Sequence, residues 1–264
     1  MIFCIDIGNT NIKYGVFDGD NLVASFRVVS KRSSTADEYG IVVRDLLRNA
    51  GIKRSEIEGV IMSSVIPQLN YTIAHMCEYY LGYEPTMVGP GIKTGINIKV
   101  DNPAEAGADR IVNSVAAYKK YGGEKPVICI DFGTATTFNV ITEKGEFIGG
   151  VIAPGIKGSL DSLVNGTAQL PNIELSLPDK IIAKNTITNM QAGLLYGFAG
   201  LVEHIVNRTK KELGRDAFVV ATGGLGETVA NESGVIDIID RTLTLEGLKI
   251  LYNMNNKGKA KKVE

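Results

Sequence analysis

The fold is decided by the stretch Asp6-Ile7-Gly8-Asn9-Thr10-Asn11-Ile12-Lys13, which follows the short apolar strand Ile2–Ile5. The strand ends at a carboxylate, and a glycine-centred turn leads into a second strand. A closely similar stretch, Asp131-Phe132-Gly133-Thr134-Ala135-Thr136-Thr137, follows another apolar strand in the second half of the chain. One copy would be weak evidence, because acidic residues and glycine are common in ordinary hairpin turns. Two matching copies predict a duplicated domain.

Both turns carry chemical groups that can bind phosphate. Glycine at positions 8 and 133 lets backbone N–H groups approach a ligand closely, because glycine has no Cβ. Small polar side chains beside the glycines add further donors: Asn9, Thr10, Thr134, Thr136 and Thr137. Asp6 and Asp131 would then hold a metal ion or its waters beside the phosphates, since hard cations prefer oxygen ligands. Two ordinary β-turns are the alternative, and they leave the shared carboxylate and hydroxyls unexplained.

The wider pattern predicts an α/β fold with mixed sheets flanked by helices. The expected strands lie at about 2–7, 12–17, 22–29, 58–63, 86–88, 127–131, 136–142, 146–153 and 217–221. The expected helices lie at about 36–49, 67–81, 102–121, 156–165, 187–213 and 244–254. We therefore predict an N-terminal domain over residues 1–115 and a C-terminal domain over residues 116–264, each with one phosphate-binding hairpin.

Composition excludes several classes of protein. The chain of 264 residues has 44% hydrophobic and 22% charged residues, a net charge of −1 and a pI near 6.2. This balance gives no general attraction for nucleic acid or for an anionic membrane. No apolar run approaches the roughly 20 residues that cross a membrane, and the N-terminus begins directly in a strand, so we expect a cytoplasmic protein without membrane or nucleic-acid partners. Core packing is predicted for all three cysteines: Cys4, Cys77 and Cys129.

Common catalytic motifs do not occur in the sequence. Two histidines and no Gly-x-Ser-x-Gly leave little basis for a serine hydrolase. The cysteines and histidines show no zinc-ligand spacing. Neither Gly-x-x-x-x-Gly-Lys-[Ser/Thr] nor a Gly-x-Gly-x-x-Gly after a strand is present, so Walker-type ATPases and dinucleotide-binding enzymes are disfavoured.

A third candidate segment is Glu105-Ala106-Gly107-Ala108-Asp109-Arg110. Glycine is unfavourable inside a helix, and close approach of a ligand would explain its presence at position 107. Asp109 lies four residues after Glu105, so repulsion between the two carboxylates should raise the proton affinity of Asp109. That property suits a general base for phosphoryl transfer to an alcohol. A solvated Asp–Arg pair on an amphipathic helix is the alternative, and the residues alone leave the two interpretations open.

The predicted helix 187–213 carries Gly193, Gly197 and Gly200 on roughly one face. Each glycine costs a helix about 1 kcal/mol relative to alanine, so close packing against a partner element or subunit is expected. Thr222-Gly223-Gly224, after the strand at 217–221, is a second candidate phosphate or nucleoside contact, and a plain strand-to-helix turn explains it equally well.

The ordered set of motifs closely resembles the type III pantothenate kinases. The matching segments, which cover nearly the whole chain in order, are Asp6–Lys13, Asp101–Pro103, Gly107–Arg110, Asp131–Thr137, Gly149–Gly155, Leu170-Pro171, Asn185-Thr186 and Thr222–Gly224. Each motif alone is modestly specific, whereas the ordered set is highly specific. The family belongs to the superfamily of acetate and sugar kinases, Hsp70 and actin, so the resemblance implies duplicated ribonuclease-H-like, actin-like ATPase domains.

The resemblance implies ATP-dependent phosphorylation of pantothenate to 4'-phosphopantothenate, the first step of coenzyme A biosynthesis, with Mg²⁺ accompanying ATP. The implied ATP-binding residues are Asp6, Ile7, Gly8, Asn9, Thr10, Asn11, Ile12, Lys13 and Thr134, with Asp6 contacting Mg²⁺ through water. The implied pantothenate-binding residues are Val100, Gly107, Ala108, Asp109, Arg110 and Thr186, with Asp109 as the proton acceptor. Asp131 is implied to bind a monovalent cation, K⁺ or NH₄⁺. Val100 departs from the family pattern, which usually has an aromatic residue there.

The resemblance also implies a homodimer in which Thr186 reaches pantothenate bound mainly by the neighbouring subunit. Two other functions compete with the kinase. A non-catalytic, nucleotide-binding regulator on the same fold would have no use for Asp109 as a base. A generic sugar or acetate kinase is disfavoured by the short chain and by the segment Gly107–Arg110.

Overall fold

The computed structural model describes residues 1–224 and 226–256. The strands are β1 (Ile2–Ile7), β2 (Asn11–Asp18), β3 (Asn21–Val29), β4 (Gly59–Ser64), β5 (Thr86–Met87), β6 (Asn97–Ile98), β7 (Val127–Phe132), β8 (Ala135–Ile141), β9 (Glu146–Pro154), β10 (Phe218–Gly223) and β11 (Ile238–Ile239). The α-helices are α1 (Ala36–Asn49), α2 (Pro67–Met76), α3 (Ala108–Tyr121), α4 (Ile156–Asn165), α5 (Thr186–Leu213), α6 (Gly226–Ser233) and α7 (Leu243–Asn255). Two 3₁₀ turns, Arg54–Glu56 and Pro103–Glu105, and a π-helical turn, Cys77–Leu81, complete the list.

The same sheet is built twice. The first sheet has the strand order β3-β2-β1-β4-β5, and the second has β9-β8-β7-β10-β11 with the short β6 added beyond β9. In both sheets the first three strands form an antiparallel meander, while β4 and β5, like β10 and β11, run parallel to the first strand of their copy. This topology confirms the prediction of duplicated domains with mixed sheets.

The chain divides into two compact units that do not follow the chain order throughout. Among the described residues, the first contains Met1–Ile96, Asp101–Ala116 and residues 243–256, and the second contains Asn97–Val100 and the described part of Ala117–Thr242. The predicted division at residue 115 therefore differs from these units mainly at α7. The Tyr252 hydroxyl of α7 occupies the space that a Cβ on Gly59 of β4 would need, so α7 packs directly on the first sheet.

In the first unit the core lies between the sheet and the helices α1 and α2. Helix α1 begins at a capping box, in which the Thr35 hydroxyl accepts from Glu38 N–H at 3.2 Å and the Glu38 carboxylate accepts from Thr35 N–H at 2.7 Å. Its Val43 and Leu47 side chains are buried against the sheet. This helix has the bounds that the sequence predicted.

In the second unit helix α5 supplies much of the core. Its buried apolar side chains pack with strands β7 and β10: Met190, Leu194, Leu195, Phe198, Val202 and Val206. The three cysteines are buried and free, which confirms the core prediction, and burial raises the pKa of every thiol well above its ordinary value. Within the part of the chain that the structure describes, no helix combines the length and hydropathy needed to cross a membrane.

Two predicted helices are interrupted. The helix expected over 67–81 changes to π-helical geometry at Cys77 and ends at Gly82, whose φ is 82°. The helix expected over 102–121 is split into a 3₁₀ turn and α3, because Ala106 adopts an extended backbone with ψ of 115°. The short elements β6, α6 and β11 were not predicted.

Candidate active site

The first hairpin holds Asp6 between two polar neighbours on adjacent strands. Asp6 pairs in register with Lys13 of β2 and with Ser63 of β4. The Ser63 hydroxyl donates to Asp6 Oδ1 at 2.9 Å, and Lys13 Nζ lies 3.7 Å from Asp6 Oδ2. Asp6 is 6% exposed and Ser63 is fully buried, so this carboxylate is largely removed from bulk water. The Ser63 hydroxyl and the Lys13 ammonium therefore give this buried carboxylate its polar contacts.

The turn after Asp6 is fixed by backbone hydrogen bonds. Gly8 N–H donates to Asn11 O at 3.0 Å, Ser30 N–H donates to Thr10 O at 3.0 Å, and the Ser30 hydroxyl donates to Gly8 O at 2.6 Å. A Cβ on Gly8 would lie 3.0 Å from Asn11 O, which makes glycine the best-fitting residue at this position. Asn9 and Thr10 are exposed. The turn therefore presents small polar groups to solvent on a rigid backbone.

The second hairpin repeats this arrangement with different neighbours. Asp131 pairs in register with Thr137 of β8 and with Thr222 of β10. Gly133 N–H donates to Ala135 O at 3.1 Å, as Gly8 does to Asn11 in the first hairpin. Thus the residues that flank the carboxylate are a lysine and a serine in one copy and two threonines in the other.

Two further glycines allow other elements to approach the second hairpin. A Cβ on Gly155, which precedes α4, would overlap the backbone oxygen of Thr134. A Cβ on Gly223, whose φ is 103°, would lie 2.5 Å from Phe132 O. The N-terminus of α4 and the end of β10 therefore lie against this turn. Unpaired backbone N–H groups at a helix N-terminus favour anions.

The segment Gly107–Arg110 differs from the sequence prediction. Gly107 precedes α3 and follows the 3₁₀ turn, so it is not inside a continuous helix. A Cβ on Gly107 would lie 2.7 Å from Asp109 Oδ1, so a contact within the same segment explains why glycine occurs at this position. Arg110 N–H donates to the same oxygen at 2.8 Å.

The surroundings of Asp109 also differ from the predicted ones. Glu105 belongs to the 3₁₀ turn, where its Oε1 accepts from Asn102 Nδ2 at 2.7 Å, so it is not one helical turn before Asp109 in a single helix. The Asp109 carboxylate instead has Arg110 as a close neighbour. Half-burial lowers the pKa of the Arg110 guanidinium, and the Asp109 charge partly opposes this effect. The role of Asp109 as a base stays a prediction that rests on the resemblance.

The remaining predicted residues lie in the second unit. Val100 follows β6, the edge strand that pairs in parallel with β9. Thr186 is the first residue of α5, and the preceding Asn185 caps this helix by accepting from Thr188 N–H at 2.9 Å. A groove of about 450 Å³ begins at Thr186 and is lined by residues of α4, α5 and the segment between them: Leu163, Leu170, Thr186, Asn189, Met190, Gly193 and Leu194.

The glycines of α5 face outward. Gly193, Gly197 and Gly200 are exposed, and outside the helix's own backbone no described atom lies within 4 Å of where their Cβ atoms would be. Their own unit therefore does not require glycine at these positions.

Sequence reasoning missed Ser63 and Ser30. A signal for Ser63 was present, because Ser63-Ser64 and Thr222-Gly223 end corresponding strands of the two repeats. Among residues 1–224 and 226–256, no cluster of three or more His, Cys, Asp or Glu side chains is placed to hold a metal ion. Asp6 nevertheless fits Mg²⁺ that arrives with a nucleotide, since this ion is commonly bound by one or two carboxylates together with substrate phosphates and waters.

Comparison with known proteins agrees with this topology. Over 94% of this chain, the structure is similar to 89% of the ethanolamine utilization protein EutJ from Carboxydothermus hydrogenoformans, with a TM-score of 0.55 and 16% sequence identity. The duplicated sheets and this similarity define the class: the chain has the ribonuclease-H-like fold of actin-like ATPases and sugar kinases.

Sequence comparison identifies the family within that class. The type III pantothenate kinase family model matches residues 2–208. The chain is 51% identical over 255 residues to the type III pantothenate kinase of Moorella thermoacetica, covering 97% of this chain and 100% of that protein. The type III pantothenate kinase of Geobacillus sp. strain WCH70 is likewise 51% identical over 255 residues, covering 97% of this chain and 98% of that protein. The chain belongs to the type III pantothenate kinase family.

Proposed function

We propose that the protein transfers the γ-phosphoryl group of ATP to the 4'-hydroxyl of pantothenate, the first step of coenzyme A biosynthesis, in the cytoplasm. Membership of the family is the observation that carries this proposal. The two hairpins support it, because each places a carboxylate and a glycine turn at the same point of its sheet. Phosphoryl transfer depends mainly on positioning and charge stabilisation, which such turns can supply.

In the proposed mechanism the first hairpin binds the ATP phosphates. Residues 7–12 line the phosphates, and the side chains of Asn9, Thr10 and Asn11 donate hydrogen bonds to them. Lys13 supplies positive charge, and Thr134 of the second hairpin also contacts ATP. Asp6 would hold the Mg²⁺ that accompanies ATP. The divalent ion, when bound, neutralises part of the phosphate charge.

Pantothenate is proposed to bind at Val100, Gly107, Ala108, Asp109, Arg110 and Thr186. Asp109 accepts the proton of the attacking hydroxyl as the new O–P bond forms and the bond from the γ-phosphorus to the β-phosphate oxygen breaks. Arg110 lies beside Asp109, and its guanidinium can bind a carboxylate or a phosphoryl oxygen of the substrate.

Asp131 is proposed to bind K⁺ or NH₄⁺. Its in-register neighbours Thr137 and Thr222 are uncharged and carry hydroxyl oxygens, the kind of ligand that hard cations accept. This donor set fits a weakly held monovalent ion at the end of β7.

We further propose a homodimer that forms along α5. Three observations support it: the exposed glycines have no packing role in their own unit, grooves of about 440 and 450 Å³ run beside Gly193, and apolar side chains nearby are exposed. Ile181, Ile182 and Ile187 are 68%, 84% and 49% exposed. Small residues let two helix backbones approach closely, and the second subunit would bring its Thr186 to the pantothenate site.

A coupled assay of ADP release with and without pantothenate tests the proposed reaction. We expect ADP release to depend on pantothenate and 4'-phosphopantothenate to accumulate in equal amount. ATP binding without pantothenate-dependent turnover would instead favour a non-catalytic regulator, and turnover with sugars or acetate but not with pantothenate would indicate a generic kinase.

A further inference from the structure

The two oxygens of the Asp6 carboxylate lie in different environments. Oδ1 accepts a hydrogen bond of 2.9 Å from the Ser63 hydroxyl, which is fully buried on β4. Oδ2 lies 3.7 Å from Lys13 Nζ, a distance too long for a strong hydrogen bond, and the lysine side chain is 28% exposed. One oxygen is therefore held by a rigid donor, whereas the other faces a long and movable side chain.

This difference matters because the last torsion of an aspartate is soft. Rotation about χ2 joins an sp³ to an sp² atom and has broad minima, so packing alone does not fix the carboxylate plane. A donor on a neighbouring strand fixes it. Ser63 belongs to β4, which pairs with β1 in parallel register from Ile2↔Gly59 to Ile7↔Ser64, so its backbone cannot shift independently of Asp6.

We infer that Ser63 is a positioning residue that fixes Oδ1 of Asp6 and leaves Oδ2 to exchange Lys13 for the hydrated metal ion of Mg²⁺-ATP. The inference rests on the proposed function of the first hairpin. In that state Lys13 is released toward the phosphates, while the Ser63 hydrogen bond is kept. Ser63 itself contacts neither ATP nor the metal ion.

A burial argument and the internal repeat support this assignment. A hydroxyl without solvent contact is costly unless it is hydrogen-bonded, and an apolar residue would suit the interior of β4 better. The Ser63 hydroxyl donates its hydrogen bond to Asp6. In the second copy, Thr222 occupies the same register position beside Asp131 and is 1% exposed, so both repeats place a buried hydroxyl residue next to the carboxylate.

The test compares Ser63→Ala and Ser63→Thr with Ser64→Ala as a matched control. Ser64 lies on the same strand, but its hydroxyl bonds with the backbone of Ile66 rather than with Asp6. For each protein, calorimetry measures ATP affinity with and without Mg²⁺, and kinetics measure kcat as a function of Mg²⁺ concentration. Loss of a group that orients a metal-binding residue typically costs about 10- to 100-fold in metal affinity or activity.

We expect Ser63→Ala to lose most of the gain in ATP affinity that Mg²⁺ gives and to need more Mg²⁺ for half-maximal kcat. Ser63→Thr keeps the donor and should restore both properties, and Ser64→Ala should leave both unchanged. If Ser63→Ala does not fold, Ser63→Cys, which keeps the size but donates weakly, should show the same loss. A folded Ser63→Ala or Ser63→Cys protein with wild-type Mg²⁺ dependence would overturn the inference.

The calorimetry also separates this inference from the proposed reaction. If wild-type protein shows no pantothenate-dependent turnover but binds Mg²⁺-ATP more tightly than ATP, the proposed reaction fails while the role of Ser63 is still decided by the affinities. If wild-type protein shows pantothenate-dependent turnover and the Ser63 variants have the same Mg²⁺ dependence as wild type, the reaction stands and the positioning role is rejected.

Discussion

The two hairpins share a fold but differ in the residue opposite the carboxylate. Asp6 faces Lys13 across an antiparallel pair, and Asp131 faces Thr137 at the corresponding position. The turn spans residues 8–11 in the first copy and 133–135 in the second. Duplication therefore preserved the scaffold and the carboxylate while the charge beside the carboxylate changed. We take the first hairpin to hold phosphates with a cation of its own and the second to recruit a cation from solution.

A second difference lies in the helices that join the third and fourth strands of each copy. In the first unit α1 makes this connection with 14 residues, while the second unit uses α4 and the 28-residue α5. Gly40 of α1 lies against the Tyr80 ring of its own unit, whereas the glycines of α5 face open space. The extended helix is thus an addition to the repeat, which suits an interface.

The largest effect is expected from a residue that belongs to neither hairpin. If the hairpins hold phosphates and cations, the proton must go elsewhere, and Asp109 is the proposed acceptor. Asp109→Asn should lower kcat by about 10²- to 10⁴-fold, the usual contribution of a general base. Circular dichroism should show an unchanged fold. A variant that keeps more than half of the wild-type kcat would remove Asp109 from this role.

Neutralising each hairpin carboxylate in turn sharpens the comparison itself. We expect Asp6→Asn to lower activity by about 10- to 100-fold with any monovalent salt, because it removes the group that orients the metal ion. Asp131→Asn should instead lower the rate in K⁺ to the rate that wild-type protein shows in Na⁺. Steady-state rates in KCl and NaCl at one ionic strength distinguish the two. Identical salt responses would show that the hairpins are equivalent.

The interface prediction concerns α5. Gly197→Leu should convert the protein to a monomer in analytical ultracentrifugation and lower activity, because the side chain would separate two closely packed helices. Most of the circular dichroism should remain, since the position faces open space in its own unit. Glu212→Leu, an exposed site in the last turn of α5, about three turns beyond Gly200, is the matched control and should leave the dimer intact. An active wild-type monomer at micromolar concentration would contradict the proposal.

The smallest expected effect is on stability in the first unit. A Cβ on Gly40 would overlap the Tyr80 ring, so Gly40→Ala should destabilise the protein by about 1–3 kcal/mol, as overpacking of a core usually does. Gly123→Ala, at an exposed glycine outside α5 with open space around its Cβ position, should change stability little. Urea unfolding measures both changes. Equal destabilisation by the two substitutions would show that both glycines have a packing role.

Much of this architecture could be predicted because its signals are local. The apolar strand, the acidic residue and the glycine turn lie within residues 2–13, and the repeat of that pattern identified the duplicated sheet. Helix α1 was predicted with its bounds because Thr35 and Glu38 form a capping box within a few residues.

What could not be predicted depends on contacts between distant parts of the chain or on weak local choices. The association of α7 with the first unit rests on contacts such as Tyr252 with Gly59, which are far apart in sequence. The contact between Ser63 and Asp6 depends on the pairing of β4 with β1, whose residues are more than 50 positions apart in sequence. The break before α3 reflects an alternative local structure, because the Asn102 side chain caps a 3₁₀ turn by accepting from Ala104 N–H. The strand β6 has only two residues and no sequence signature.

The central claim, that one hairpin carries its own cation and the other recruits one, is tested most directly by placing a lysine in the second. The measurement is the ratio of pantothenate kinase rates in K⁺ and Na⁺ at constant ionic strength, for wild type, Thr137→Lys and the uncharged control Thr137→Met. The account predicts a faster rate in K⁺ for wild type, a ratio close to one for Thr137→Lys, and no rescue of the Na⁺ rate by Thr137→Met. Equal wild-type rates in the two salts, or full K⁺ stimulation of Thr137→Lys, would contradict it.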